Sequence, residues 1–535
     1  MKNRKQLSLL AASVAALLLT LAMPGATGWW PLLFVAIAPL LWTAQTLRPI
    51  ESGCMGLCCG MMYHAGLLYW IVIVLNKYGN LHAVFAVGAL LLLVLYMSAY
   101  TAFFCLCLSL LVFRRNGEKG SSTVILLTAP VLWVGFDMLR GLLFTGMPWM
   151  DLGYGLYNQP VLIQAADLGG HHLITYIVVQ SNALIFWLAD RIFSSAPASG
   201  RRHYLCASMI VMLLYCTGGY SMMRYWQVFS EAQAEEQAVV AVAQGNIEQN
   251  EKWSPAKKDD TIARYLSLSM QAVREGGTTA DLLIWPETAL PFFPVREPLM
   301  NLVKDFAEQQ HLHLLTGAPF FTVDPDKKFQ PVEYFNSALM INPEGRLVGR
   351  YNKQHLVPFG EYVPLRDWLW FIKPLVELVG DFTPGDSPAP LETDKIKAGV
   401  LICFESIFPH IAQRATAAGA NLLVSLTNDA WYGHSSAPYQ SWAMTVFRAV
   451  ENRRSLVRAA NTGISGFVGP TGLISSESPI FVQAAWQETV PLMTSQTVFT
   501  QFGHWFGHVC LALIPFLLLW GWTERRRQQG EKKRK

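Results

Sequence analysis

Charged residues are scarce in this chain, at 15% of its 535 residues, whereas hydrophobic residues make up 52%. A soluble domain usually carries about 25% charged residues, so the composition excludes a protein that is soluble along its whole length. The apolar excess lies in the first 223 residues and in the last 35. The net charge is only +4 and basic, aromatic-interleaved surface segments are lacking. The sequence therefore does not indicate a nucleic-acid partner.

Eight apolar stretches are each long enough to cross a bilayer, which takes about 20 residues in a helix. We therefore expect eight transmembrane helices, seven in residues 1–223 and the last in residues 503–535, ahead of a basic tail. A basic start and an apolar run also fit a cleaved signal peptide, but a second apolar stretch follows closely and favours a retained anchor. The stretches are Leu7–Met23, Trp29–Leu47, Gly53–Leu75, Ala83–Phe113, Thr123–Phe144, Val161–Ala189, Tyr204–Met223 and Gly503–Trp522.

Basic residues lie before the first stretch and after the second, fourth, sixth and eighth. Lys77 is the main exception to this alternation. The positive-inside rule then predicts that both termini are cytoplasmic and that residues 224–502 lie outside the cytoplasm. The residues that decide the orientation are Lys2, Arg4, Lys5, Arg48, Arg114, Arg115, Lys119, Arg191, Arg201, Arg202, Arg525, Arg526 and Arg527.

One pair of ionisable residues, Asp137 and Arg140, lies inside the fifth apolar stretch. Intramembrane charges often mark function. Side chains three residues apart on a helix can also neutralise each other, and we favour this structural interpretation.

In residues 224–502, apolar runs with the pattern of strands alternate with segments of helical periodicity. This alternation predicts an α/β layered domain outside the membrane. The predicted strands are Val239–Ala243, Leu282–Ile284, Leu314–Pro319, Ser337–Ile341, Arg346–Tyr351, Gly399–Ile402, Leu422–Leu426 and Leu456–Ala460. The predicted helices are Asp260–Glu275, Leu302–Gln310 and Ile407–Ala418.

Of the nine cysteines, only Cys403 lies in this middle region. Cysteines outside the cytoplasm usually form disulfides, so a cysteine without a partner in its own domain is a candidate nucleophile. The alternative is a buried core cysteine. Because Cys403 ends an apolar strand before a predicted helix, we expect the helix N-terminus to favour its thiolate.

A thiol nucleophile needs a base and a donor that stabilises an oxyanion. Glu287 follows Trp285-Pro286 at the end of an apolar strand, and Lys353 directly follows a hairpin strand. Either residue alone would more commonly be a solvated surface charge. Glu287 and Lys353 become candidate catalytic partners because they occur together with Cys403.

These residues resemble a known family. Trp285-Pro286-Glu287, Asn352-Lys353 and Cys403-Phe404-Glu405, in this order, look like the Glu-Lys-Cys triad of the nitrilase, or carbon–nitrogen hydrolase, superfamily. With eight apolar stretches, the match narrows to the apolipoprotein N-acyltransferases of Gram-negative inner membranes. Further segments that resemble this family are residues 244–247, 353–364, 427–433 and 461–465.

The resemblance implies an α-β-β-α sandwich on the periplasmic side and a ping-pong reaction without a cofactor or metal. Cys403 would take an acyl chain from a phospholipid, typically phosphatidylethanolamine, as a thioester. The α-amine of an apolipoprotein's N-terminal diacylglyceryl-cysteine would then accept the chain. Glu287 would act as general base and Lys353 would stabilise the oxyanion.

The same resemblance implies supporting residues. Glu361 would orient Lys353, the N–H of Phe404 would be a second oxyanion donor, and Glu405 and Trp253 match further positions on which the family relies. Phe404 is a departure, since the family often has Tyr there, and it puts any role of that hydroxyl in doubt.

An apolar loop between Pro364 and Phe382 contains Trp368, Trp370 and Phe371. Aromatic residues favour the membrane interface, and one hypothesis is that this loop is a lipid entry arm. A helix packed on the domain core is an equally good interpretation.

Two other functions remain open from the sequence. One is a membrane-tethered amidase or nitrilase that hydrolyses a small amide with the same triad. The other is a transporter whose outer domain is a binding module, although the few intramembrane polar residues and the lone thiol disfavour it.

Overall fold

The computed structural model describes residues 2–25, 27–112, 120–193, 201–323, 332–362 and 382–534. The chain divides into two compact units. The helical unit comprises Met1–Asn76, His82–Arg224 and His504–Lys535, and the α/β unit comprises Lys77–Leu81 and Tyr225–Gly503.

Helices of very different length build the helical unit. They are α1 (Lys2–Ala22), α2 (Ala38–Thr46), α3 (Pro49–Leu68), α4 (Trp70–Ile73), α5 (Ala83–Val112), α6 (Ser122–Leu142), α7 (Ala166–Phe193), α8 (Arg201–Ala234) and, near the end of the chain, Trp505–Arg534. Helix α7 is interrupted at Gly170, whose φ of 68° lies in the left-handed region that glycine adopts without strain.

Within the described residues, six helices are long and apolar enough to cross a membrane, namely α1, α5, α6, α7, α8 and the last helix. A seventh crossing results if α3 and the segment Trp70–Tyr78, which bend by 47°, form one span. The expected count of eight is therefore not confirmed.

If α3 and Trp70–Tyr78 form one span, the stretch Trp29–Leu47 accounts for the remaining difference. It forms a 3-10 turn, Trp30–Phe34, and the nine-residue helix α2. Proline occupies the first turn of both segments, where its missing N–H is tolerated. Hydropathy measures the length of an apolar run and does not register that the run is broken into two short pieces.

The ion pair expected inside the fifth apolar stretch is present on α6. Arg140 Nη2 lies 3.2 Å from Asp137 Oδ1, and both side chains are buried. The same guanidinium donates to Asp151, whose other oxygen lies 2.9 Å from His171 Nε2. One guanidinium thus lies between two carboxylates inside the helical unit.

The α/β unit contains two six-stranded sheets. The first has the order β12-β1-β2-β3-β4-β5 and the second the order β11-β10-β9-β8-β7-β6. The strands are β1 (Gln237–Gln244), β2 (Leu282–Ile284), β3 (His313–Val323), β4 (Val332–Ile341), β5 (Leu347–Asn352), β6 (Leu391–Glu392), β7 (Lys397–Ile402), β8 (Leu422–Thr427), β9 (Ser455–Ala460), β10 (Gly466–Val468), β11 (Ile474–Glu477) and β12 (Ala484–Pro491).

The two faces of the first sheet enter different cores. Val240 and Val242 belong to a core shared with Val400 and Val424 of the second sheet, whereas Ala241 and Ala243 face a core that contains helical residues. This separation follows from the two-residue period of a strand. The layers are therefore helix, sheet, sheet and helix, as the sequence resemblance implied.

Four longer helices cover the sheets of the α/β unit: α9 (Lys258–Glu275), α10 (Leu299–Gln310), α11 (Pro409–Ala417) and α12 (Ala437–Asn452). The predicted strands and the hairpin turn at Asn342–Gly345 are present. The third predicted helix starts later than expected, because Cys403–Ile407 forms a 3-10 turn before Pro409. Helix α12 and strands β6 and β10–β12 were not predicted from the sequence.

Candidate active site

Cys403 lies where β7 ends and the 3-10 turn Cys403–Ile407 begins. Its φ of 53° lies in the left-handed region, which costs a non-glycine residue about 1–3 kcal/mol and is typical of functional sites. All nine cysteines are free thiols, and Cys403 is the one that belongs to the α/β unit.

The expectation that a helix N-terminus favours a Cys403 thiolate is wrong. Burial raises the pKa of this thiol to about 12; the charge of Glu287 adds to the rise, whereas Lys353 lowers the pKa. The element after Cys403 is a five-residue 3-10 turn, too short to supply the dipole of a helix. The resting sulfur is therefore a neutral thiol that needs a base.

Glu287 follows β2 in a buried segment and is held by neutral donors. Asn336 Nδ2 donates to its Oε1 over 2.8 Å, and the N–H of Asn428 donates to its Oε2 over 2.9 Å. The backbone is tightly enclosed there, because a Cβ added at Gly317 would lie 2.6 Å from Glu287 Cα. The carboxylate is therefore fixed at both oxygens.

Lys353 directly follows β5 and is 1% exposed. Its Nζ lies 2.9 Å from both carboxylate oxygens of Glu361 and 3.8 Å from Glu287 Oε1. Burial by itself lowers the pKa of Lys353, but the charges of Glu361 and Glu287 outweigh it and raise the pKa above its ordinary value. Lys353 is thus a buried cation, as an oxyanion donor must be.

Glu361 has the contact with Lys353 that the resemblance implied. Its Oε2 also accepts a hydrogen bond from the N–H of Val357 over 2.9 Å. This bond closes the turn after β5 around the Lys353 ammonium, so the carboxylate positions the lysine as well as balancing its charge.

Glu405 joins the two strand ends that carry Lys353 and Cys403. It is fully buried and accepts hydrogen bonds from the N–H groups of Ile402, Gln354 and His355 at 2.7, 2.6 and 3.1 Å. Tyr351 Oη donates to it over 2.9 Å. Burial, opposed by these N–H donors, raises the pKa of Glu405 to about 7. Glu405 therefore connects the end of β7 to the segment that follows β5.

The remaining residues singled out by the sequence lie less centrally. The Phe404 ring packs against Phe408 and His355, with centroids 5.0 and 5.8 Å away. Trp253 lies in a turn and is half exposed. Trp368, Trp370 and Phe371 lie outside the described residues, so the entry arm stays a hypothesis.

Sequence reasoning missed Asn336 on β4, which donates to both carboxylates of the site. Its Nδ2 lies 2.8 Å from Glu287 and 2.9 Å from Glu361, and its backbone oxygen accepts from Lys353 N over 2.9 Å. The signal in the sequence is a polar pair, Asn336-Ser337, directly before the apolar run at the end of the strand.

A second missed network joins the chain segments that carry the resemblance. Asn461 Nδ2 donates to Ile247 O and Asn428 Oδ1 over 2.8 and 2.9 Å. Asn428 Nδ2 in turn donates to Gln249 Oε1 over 2.7 Å. Residues far apart in sequence thus meet beside Glu287.

One group of three metal-ligand side chains occurs among the described residues, and it lies in the helical unit: Asp151, His171 and His172. The Asp151 oxygens already contact Arg140 and His171. An adjacent guanidinium also repels a cation. This donor set therefore fits a hydrogen-bonded ion network better than a metal site.

Both parts of the chain match family models. Residues 15–184 match the apolipoprotein N-acyltransferase N-terminal domain, and residues 239–496 match carbon-nitrogen hydrolase. A protein from Geobacter metallireducens named apolipoprotein N-acyltransferase is 39% identical over 94% of this chain and 93% of its own length. A protein of the same name from Pseudomonas putida is 31% identical over 92% and 93%.

Two solved structures share a lower identity with the chain. An amidase from Nesterenkonia sp. is 19% identical, covering 51% of this chain and 95% of its own, with a TM-score of 0.36. A carbon-nitrogen hydrolase from Helicobacter pylori G27 is 16% identical, covering 53% and 94%, also with a TM-score of 0.36.

Proposed function

The chain belongs to the apolipoprotein N-acyltransferase family, and from this premise we propose that it completes lipoprotein maturation. It transfers an acyl chain from a phospholipid, in the first place phosphatidylethanolamine, to the α-amine of the N-terminal diacylglyceryl-cysteine of an apolipoprotein. The observation that carries this proposal is a neutral, unpaired thiol at a strained strand end beside a buried Glu287–Lys353–Glu361 arrangement, in a chain that also contains membrane-length helices.

In the first half-reaction, Glu287 takes the thiol proton while Cys403 Sγ attacks the ester carbonyl of the phospholipid. Lys353 and the N–H of Phe404 stabilise the tetrahedral oxyanion. The C–O bond breaks, the lysophospholipid oxygen receives the proton from Glu287, and a thioester remains on Cys403. The high pKa of this thiol makes the base necessary.

In the second half-reaction, the acceptor's α-amine attacks the thioester. Glu287 takes a proton from the amine and returns it to the departing sulfur, so that the free thiol is restored and an amide has formed. A thioester retains enough of the acyl-transfer energy for this step to need no ATP. Substrates that enter from the bilayer would keep water away from the intermediate.

The arrangement in the membrane is part of the proposal. The basic flanks put both termini in the cytoplasm, with residues 224–502 as the periplasmic catalytic domain between residues 1–223 and 503–535. The partners are then a phospholipid, an apolipoprotein and the bilayer itself. The loop that contains Trp368, Trp370 and Phe371 would admit lipid at the interface.

The test is mass spectrometry of the detergent-solubilised protein incubated with phosphatidylethanolamine and no acceptor. We expect one hydroxylamine-labile acyl chain mapped to Cys403. Cys403→Ala should abolish both this adduct and N-acylation of a diacylglyceryl lipopeptide, a loss of about 10⁴-fold or more. Cys510→Ala, in the helical unit, is the matched control and should acylate normally.

An unmodified Cys403 in active wild-type protein would contradict the proposal. So would release of free acid and ammonia from small amides with no lipopeptide product, which would indicate an amidase instead.

A further inference from the structure

A second buried lysine, Lys252, lies beside the same carboxylate. It is 3% exposed, and its Nζ donates to the backbone oxygen of Glu287 over 3.0 Å. Buried lysines are rare unless they are paired or bonded. The burial of Lys252 therefore needs a physical reason, whereas a solvated surface lysine would need none.

The segment that carries Lys252 is itself anchored at the site. The N–H of Lys252 donates to Glu248 O over 3.1 Å in a tight turn. Within this turn, Gln249 accepts a hydrogen bond from the side-chain amide of Asn428. The backbone N–H of Asn428 donates a hydrogen bond to the Glu287 carboxylate. The segment that carries Lys252 thus contacts the backbone of Glu287 and, through Asn428, also supports the Glu287 side chain.

The backbone at this point is strained. Thr288, the residue after Glu287, has a φ of 46° in the left-handed region. Such a conformation persists only when the surrounding contacts impose it. The Lys252 bond to the Glu287 carbonyl is one of these contacts.

We propose that Lys252 is a positioning residue for the acyl-transfer reaction: its ammonium fixes the backbone of Glu287 so that the carboxylate can take the Cys403 proton. This inference rests on the proposed function and deepens it. Lys353 remains the donor to the oxyanion.

The charge of Lys252 should depend on pH. Burial lowers the pKa of Lys252 to about 8, against the opposing effect of the Glu287 charge. The ammonium is therefore present below about pH 8 and is lost as the pH rises through this value. The acylation half-reaction should slow over the same interval.

The test measures the rate of acyl-enzyme formation on Cys403 with phosphatidylethanolamine in detergent micelles, from mildly acidic to alkaline pH. Omitting the acceptor removes the titration of its amine. Lys252→Met should be about 10- to 100-fold slower at neutral pH, since small misplacements of a catalytic group have effects of this size, and its profile should lack the alkaline fall.

Lys252→Arg separates charge from structure. Arginine stays protonated throughout this range, so this variant should acylate faster than Lys252→Met and should not slow above about pH 8. Lys258→Met is the matched control, because Lys258 is partly exposed and pairs with Glu297 at 3.2 Å. The control should keep the wild-type rate and profile.

Different results would contradict the proposed function and the role of Lys252. Absence of an acyl-enzyme in the wild type overturns the proposed function itself. If the wild type is acylated, an unchanged rate in Lys252→Met, or an alkaline fall that persists in Lys252→Arg, overturns the role of Lys252 alone.

Discussion

Each of the two units of the chain contains a cluster in which a buried cation lies between two carboxylates, but the two clusters differ in how the charge is shared. In the helical unit, Arg140 contacts Asp137 and Asp151 directly. In the α/β unit, Lys353 lies 2.9 Å from Glu361 but 3.8 Å from Glu287.

Because Lys353 lies closer to Glu361 than to Glu287, the Glu287 carboxylate remains available as a proton acceptor. Glu287 is held by the neutral donors Asn336 and Asn428, which fix its position without neutralising its charge. A carboxylate that the cation binds directly is stabilised in its charged form and is a poor base. We therefore expect Arg140 to stabilise the fold and Glu287 to act in proton transfer.

The largest effect is expected for Glu287→Gln. Glutamine can keep a hydrogen bond from Asn336 but cannot take the thiol proton, so the rate of acyl-enzyme formation should fall about 10²- to 10⁴-fold. The unfolding temperature, measured by differential scanning fluorimetry, should change little. Retention of the wild-type rate would break the comparison, because Glu287 would then be as structural as Arg140.

The reciprocal change, Arg140→Gln, should affect stability rather than chemistry. It leaves two buried carboxylates without their cation, which costs about 3–5 kcal/mol. The midpoint of thermal unfolding should fall, while the turnover of the folded fraction with a lipopeptide acceptor stays near the wild-type value. Arg140→Lys retains a charge and should lose less stability. A turnover defect in well-folded Arg140→Lys would contradict the structural role.

A smaller effect is expected for Asn336→Ala, which removes the neutral donor shared by Glu287 and Glu361. The loss of one or two hydrogen bonds to charged groups corresponds to about 1.5–3 kcal/mol, or about 10- to 100-fold in rate. Single-turnover acylation should detect it. Ser425→Ala on β8, which also removes a buried polar group, is the control. An equal defect in both variants would indicate general loosening of the α/β unit.

Much of the site follows from local sequence features. Cys403 is identified because it is the lone cysteine of its region, and Glu287 and Lys353 because each charge follows an apolar or hairpin strand. Strands β1–β5 and β7–β9 could be predicted from their apolar runs, whereas the short or half-exposed strands β6 and β10–β12 could not. The helix count could not, because prolines at the starts of its two pieces divide the stretch Trp29–Leu47 without lowering its hydropathy.

Lys252, Asn336 and Asn428 could not be found in this way. Each is a polar residue whose partner lies far along the chain, and polar residues usually contact solvent. Only the folded chain brings Lys252 and Asn428 to Glu287. The state of the Cys403 thiol was likewise misjudged, because burial depends on the three-dimensional surroundings.

The sequence by itself determined the division into membrane-length apolar helices and an α/β region and the strand periodicity, and it singled out the three residues proposed as catalytic, since these inferences depend on composition and short-range pattern. The tertiary structure alone decided which carboxylate pairs tightly with Lys353, which one is held by amides, and that the thiol is neutral at rest. The reason is physical: charge pairing and burial are set by distances between residues that only folding brings together.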